Sequence, residues 1–270
     1  MTTQRLIRIR TITAFVTLSP DDFHADDSVM GTTPKIYNTL NQCNIILRKL
    51  EEKLLKLGYE VQTVRISTNP FGEWLTQDVE TVHDDTYTCA RINIQSRLQL
   101  LNSLLDDYSI NFFSCGPSMN PIHTTDICPL IIETSDKFSC SANVDFGDID
   151  GAWAAAICIQ KISTLGNNTT ASHVKGGLGN FRFCASSCID TVPFFPGSKS
   201  PTSAARFRIA IGLENGGYAR QLLFGAKSIS NIKGVIHSEM RKVLLPIQEI
   251  CLSLVRDSEY SIEYLGIDTR

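Results

Sequence analysis

This 270-residue sequence has nine cysteines but no C-x-x-C pair, and its five histidines show no ligand spacing, which argues against a structural zinc framework. The cysteines are odd in number and scattered, and several sit inside apolar runs, such as Cys158 in Ala-Ile-Cys-Ile. They read as buried reduced thiols of a cytoplasmic protein, not as a disulfide framework. Lys+Arg number 25 against 28 Asp+Glu, a net charge of −3, so nothing electrostatic favours nucleic acid or an anionic membrane surface. No run approaches the roughly 18–20 apolar residues of a membrane span. G-x-S-x-G is absent, and Gly176-Gly-Leu-Gly179 lacks the lysine of a phosphate loop. Asp145, Asp148 and Asp150 miss the alternate-acid spacing and the closing glutamate of a calcium loop. No metal is expected and no cofactor is indicated.

What the chain does hold is an ordinary globular composition, 43% hydrophobic and 20% charged, with enough length for a sizeable core. It is organised around residues 176–215. There a glycine-rich entry and a short apolar strand lead into small polar residues, then a Pro-Phe-Phe-Pro-Gly turn and a second apolar strand ending in Gly-Leu-Glu-Asn. Such a concentration of glycine, proline and small polar groups between strands points to a site more than to packing.

Strand and helix patterns alternate along the chain. Strands are expected at 6–16, 59–66, 111–114, 138–144, 181–184, 207–213 and 262–267. Helices are expected at 34–57, 87–108, 126–135, 152–163, 218–228 and 232–255, the last bent or restarted at Pro246. In the first helix Ile36, Leu40, Cys43, Leu47, Leu50 and Leu54 recur at helical spacing, and Gly58 follows as a C-cap. The strands read as solidly apolar, which predicts a mostly parallel, barrel-like sheet with outer helices in one α/β domain spanning 1–270.

Polar segments follow the strands. If the sheet is parallel they converge on one rim, at the carboxyl ends of the strands, where such folds bind ligands. Arg10, Arg65 and Arg182 would hold anionic groups, and Ser67, Asn69, Ser141 and Asn143 would orient a ligand by hydrogen bonds. Asp145, Asp190 and Glu214 are acid or base candidates, and Cys115 is a candidate nucleophile. Each has a plainer role: an N-cap for Asp148 or Asp150, a turn for Asn69, an ion pair of Arg10 or Arg65 with Glu214 or Asp145, and packing for Cys115.

The ordered motifs carry a family resemblance. They are Ile9-Arg10-Thr11-Ile12-Thr13, Arg65-Ile66-Ser67-Thr68-Asn69-Pro70, Phe112-Phe113-Ser114-Cys115-Gly116 and Ser139-Cys140-Ser141-Ala142-Asn143-Val144. Then come Pro193-Phe194-Phe195-Pro196-Gly197, Ile211-Gly212-Leu213-Glu214 and Leu265-Gly266-Ile267-Asp268. The set resembles the uncharacterised, PFL-like family of domain of unknown function 711. That resemblance implies a fold similar to the pyruvate formate-lyase-like α/β barrel, incomplete here, since members of the family continue past the last motif. It does not imply radical chemistry, because the adjacent cysteine pair of a formate-lyase is missing, and no catalytic residue transfers. A missing segment would expose a sheet edge and invite a homo-oligomer.

The functional expectation is an enzyme acting on a small polar or anionic metabolite at the carboxyl-end rim. The alternatives are a non-catalytic metabolite-binding or regulatory module and an inactive truncated relative. The expected partner is a small-molecule ligand, with no nucleic acid and no membrane.

Overall fold

A computed structural model describes residues 7–24, 33–76, 84–167, 171–187, 193–201, 205–225 and 228–269, with only the backbone for 84–90 and 229. The strands are β1 (Arg8–Val16), β2 (Val64–Thr68), β3 (Phe113–Ser118), β4 (Phe138–Asn143), β5 (Phe183–Ser186), β6 (Phe207–Glu214) and β7 (Ile262–Asp268). The helices are α1 (Lys35–Lys56), α2 (Asp84–Asp107), α3 (Pro121–Thr134), α4 (Ile149–Thr164), α5 (Gly216–Gly225) and α6 (Ile229–Asp257). They form an α/β architecture around one seven-stranded sheet in the order β5-β4-β3-β2-β1-β6-β7.

Neighbouring strands run parallel except β1 and β6, which are antiparallel. The sheet is therefore mostly parallel, as expected, but β6 and β7 end at the opposite rim from β1–β5. Barrel closure is not seen: among the described residues the order ends at β5 and β7.

The topology puts the helices on one side. From β1 to β5 the chain steps one strand at a time in one direction, and right-handed crossovers then place α1–α4 on the same face. From β6 to β7 both strand direction and step direction reverse, so α6 lands on that face too and packs against α1. One apolar core fills the space between: Ile36, Leu40, Leu47 and Leu50 of α1, Leu98 and Leu105 of α2, Ile131 of α3, Cys158 of α4 and Ile247 of α6 meet alternate strand residues. Burying each large aliphatic side chain stabilises the fold by roughly 1.5–3 kcal/mol.

The strands are not solidly apolar. Ile12, Ile66, Phe113, Cys140 and Ile209 face the helices, and the residues between them are Thr11, Thr13, Arg65, Ser67, Ser114, Ser139, Ser141 and Arg208, none of which joins the apolar core. Period-two alternation puts this polar set on the helix-free face.

Several boundaries move. The Cys115-Gly116-Pro117 segment, expected as a loop, lies inside β3, where the register with β4 shifts between Ser114 and Pro117. α3 starts at Pro121, capped by the Asn120 carboxamide accepting from the Ile122 amide at 2.7 Å. α6 runs through Pro246 as one helix of 29 residues instead of restarting there. α1 ends as read, with Gly58 at φ +85°.

Candidate functional site

Residues 193–201, at the centre of the glycine- and proline-rich stretch, lie across the helix-free face and are tied to it by the polar strand residues. Thr13 Oγ1 donates to the Pro193 carbonyl at 2.9 Å, Ser114 Oγ donates to the Ser198 carbonyl at 2.8 Å, and Ser198 Oγ donates to Ser67 Oγ at 2.9 Å. The Ser200 amide donates to the Thr68 carbonyl at 2.8 Å. Phe194 packs over Gly212 of β6, where a Cβ would stand 2.6 Å from the ring. The loop thus spans β6, β1, β2 and β3, and the strand hydroxyls serve as its fixings.

Arg65 lies under one end of this loop. It is 7% exposed. Its guanidinium carbon sits 4.8 Å from the centroid of the Phe112 ring and 4.9 Å from that of Phe195. The two centroids are only 6.2 Å apart, so the rings form a corner against the guanidinium. Nε donates to Thr63 Oγ1 at 3.0 Å, and that hydroxyl donates to the Arg10 carbonyl at 2.8 Å. Among the described residues no carboxylate forms an ion pair with Arg65, and its terminal nitrogens have no hydrogen-bond partner. Burial, aided by the like charge of Arg10, pushes its pKa down to about 10, so it stays cationic at neutral pH.

Two other arginines of low exposure, Arg208 and Arg182, each have several protein partners. Arg208, fully buried, donates to Thr17 and Ser200 hydroxyls and to the Ala205 carbonyl, with Glu263 at 3.8 Å. Arg182 donates to the carbonyls of Ser135, Phe138, Ile132 and His173, tying the exit of α3 to β4 and the segment before β5. Those two are structural clamps; Arg65 holds a buried positive charge with no counter-charge among the described residues.

With this geometry in view, comparison with known proteins is informative in one respect. The family described as Uncharacterised ACR (DUF711) matches residues 1–270. The chain belongs to this family. A search of curated proteins finds no match. The DUF711 assignment agrees with the resemblance carried by the ordered motifs, and it brings no reaction with it.

In this DUF711 member the expected site residues do not gather at one rim. Arg65 is level with Phe112, at the amino ends of β2 and β3, as the pairing of Ile66 with Phe113 shows. Arg10 stands at a bulge of β1 near the same end, and its guanidinium is 3.9 Å from Glu214 at the end of β6, which also accepts from Gln62 Nε2 at 2.8 Å. Arg10, Arg65 and Glu214 therefore share the amino-end rim of β1–β5. Phe113 of β3 pairs with Phe138, so Asn143 lies six residues further along β4 than the level of Arg65, about 20 Å along the strand.

At that far rim Asn143 Nδ2 donates to Asp145 Oδ1 at 3.0 Å, and both residues are open to solvent or nearly so. Asn69 is a clamp: its carboxamide accepts from the Leu18 amide at 2.8 Å, and donates to the Leu18 carbonyl and to Glu73 at 2.6 Å. Ser67 and Ser141 are buried in mid-strand, Ser67 holding the loop. Cys115 belongs to the helix-side core, and burial raises its thiol well above the usual range, so packing is its role and the nucleophile expectation is corrected. Arg182 is corrected in the same way, from ligand binder to clamp. Asp148 is the N-cap of α4, accepting from the Gly151 amide at 2.8 Å. Asp190 lies outside the described residues.

Sequence reasoning missed Arg208, Thr63, Phe112 and Phe195 as parts of this face. The signal was available for Arg208: it sits between apolar residues in a strand whose alternation places it opposite Ile209.

Proposed function

We propose that this protein binds a small anionic metabolite on the helix-free face of its sheet, at the amino-end rim of β1–β5, with Arg65 as the anchoring cation. The carrying observation is a buried guanidinium that has one hydrogen bond and no carboxylate partner among the described residues. A charge so placed costs stability unless something pairs with it, and a carboxylate or phosphate oxygen supplies that pairing by charge-assisted hydrogen bonds. Arg10 adds a second positive charge, and the Phe112–Phe195 corner supplies an apolar wall. The site is therefore moved from the carboxyl-end rim to the other end of the same strands.

The test is a thermal-shift screen of mono- and dicarboxylates and phosphate esters, repeated on Arg65→Met. At a hundred times its Kd a ligand adds about 2.7 kcal/mol to stability, enough to move the melting temperature by several degrees. A stabilising anion whose effect vanishes in Arg65→Met supports the reading. An anion that stabilises both proteins equally, or a screen with no anionic hit, refutes it.

One observation favours a catalytic form of the same reading. Glu214 holds a partly exposed carboxylate at the same rim, beside Arg10, where it is available as an acid or base. Ligand conversion that is lost in Glu214→Gln while binding persists would make the protein an enzyme. Binding with no conversion leaves it a recognition module.

A further inference from the structure

We propose that two copies of this chain pair through the outer face of α4, the helices laid antiparallel across a twofold axis. α4 carries two apolar stripes. Gly151, Ala154, Ala155, Cys158 and Ile162 are buried against the protein. Ile149, Ala152, Trp153, Ala156 and Ile157 recur at the i, i+3, i+4, i+7, i+8 spacing of a packing face, yet all five are exposed. Ile149 is 69% exposed and Trp153 67%. A helix apolar on both sides is normally covered on both sides, and contiguous apolar surface of this kind marks an interaction site.

The shape of the surface favours a second copy. Ile149, Ala152, Trp153 and Ala156 line an open cavity of about 650 Å³, and Phe146, fully exposed, stands at its edge. Knob and hollow lie side by side on one patch, as an isologous contact requires, where each copy gives to the other what it receives. Ala152 and Ala156 at the middle of the stripe allow two helix backbones to approach closely.

Charge sets the direction. Asp145, Asp148 and Asp150 cluster at the amino end of α4. At the carboxyl end stand Lys161, which pairs with Asp126 at 2.9 Å, and the exposed Lys175, brought there because its Cα would lie 2.6 Å from a Cβ on Gly166. An antiparallel pair sets the aspartates of each copy beside the lysines of the other and opposes the two helix dipoles; a parallel pair stacks like on like.

Sedimentation equilibrium of the full chain, from micromolar to hundreds of micromolar, tests the proposal. The wild type should be a dimer, and Trp153→Asp should raise its dissociation constant at least about 100-fold with an unchanged circular dichroism spectrum. Asp150→Lys and Lys175→Asp should each weaken the dimer, and the double variant should restore it. A wild type that stays monomeric throughout overturns the proposal and assigns the α4 face to a different cover. A dimer indifferent to Trp153→Asp overturns it as well, and a double variant that fails to recover rejects the antiparallel arrangement.

Discussion

Replacing Arg65 by methionine separates a ligand-binding arginine from a structural one. The depression of its pKa from the ordinary arginine value to about 10 corresponds to an upper bound of roughly 3 kcal/mol by which the folded state disfavours the charge. Against that stand two ring contacts, worth about 1 kcal/mol each, and the Nε bond to Thr63, worth about 1 kcal/mol. The opposing contributions nearly cancel. Methionine fills similar space and itself packs well against aromatic rings. Arg65→Met should therefore unfold in urea within about 1 kcal/mol of the wild type at pH 7, although it deletes a residue that is 7% exposed.

Linkage gives a second signature of the same change. The unfolded chain holds the Arg65 proton more tightly than the folded one, so the wild-type penalty is full below pH 10. It fades as pH rises from about 10 towards the ordinary arginine value, and the variant should lack that recovery. Equilibrium urea unfolding followed by circular dichroism and by tryptophan emission, with coincident transitions as the two-state check, measures the difference. A loss above about 2 kcal/mol would show that Arg65 holds the fold together, and would refute the argument from an unpaired charge.

The remaining predictions concern the clamps, the packing and the titration of the site. Arg208→Met should cost about 3 kcal/mol or more in the same assay, since it leaves the buried Ser200 hydroxyl and the Ala205 carbonyl without their donor. Gly116→Ala should cost more than about 2 kcal/mol, because φ is +77° and the new Cβ would stand 2.3 Å from the Asn69 carbonyl oxygen. Binding of the stabilising anion should hold at neutral pH and fall as pH rises past about 10, when Arg65 loses its charge; calorimetric titration across that range reads it. Thiol labelling of the native protein at pH 8 should be slow at Cys43, Cys115, Cys128, Cys184 and Cys251, whose thiols burial pushes up to about 11 or beyond, and complete only in denaturant.

Much of the layering could be read from residue order, because it depends on local periods. α1 is announced by its leucines and closed by Gly58, and the alternation of strand and helix implies helices packed on a mostly parallel sheet. The reversal of β6 could not be read that way. Strand direction there depends on the connection between β5 and β6, whose described residues 193–201 cross the helix-free face, and no local period records that path. The reversal is what carries Glu214 to the rim of Arg10.

The other error was one of register. Arg65, Ser67 and Ser141 read as polar tips after apolar strands, whereas they are the alternate residues within strands. Motif order identified the DUF711 family, and the proline-rich turn marked the loop that covers the polar face. That Arg65 has no carboxylate partner among the described residues depends on tertiary geometry alone. Composition shows an arginine, not whether an acid reaches it.

The central claim is that an anion pairs with the Arg65 guanidinium. Its most direct measurement is arginine side-chain nuclear magnetic resonance, with the Arg65 Nη signals assigned by their absence in Arg65→Met. Titration with the anion that stabilises the wild type should shift those signals saturably, together with the rings of Phe112 and Phe195. Shifts confined to Asn143 and Asp145, with Arg65 unmoved, would contradict the account.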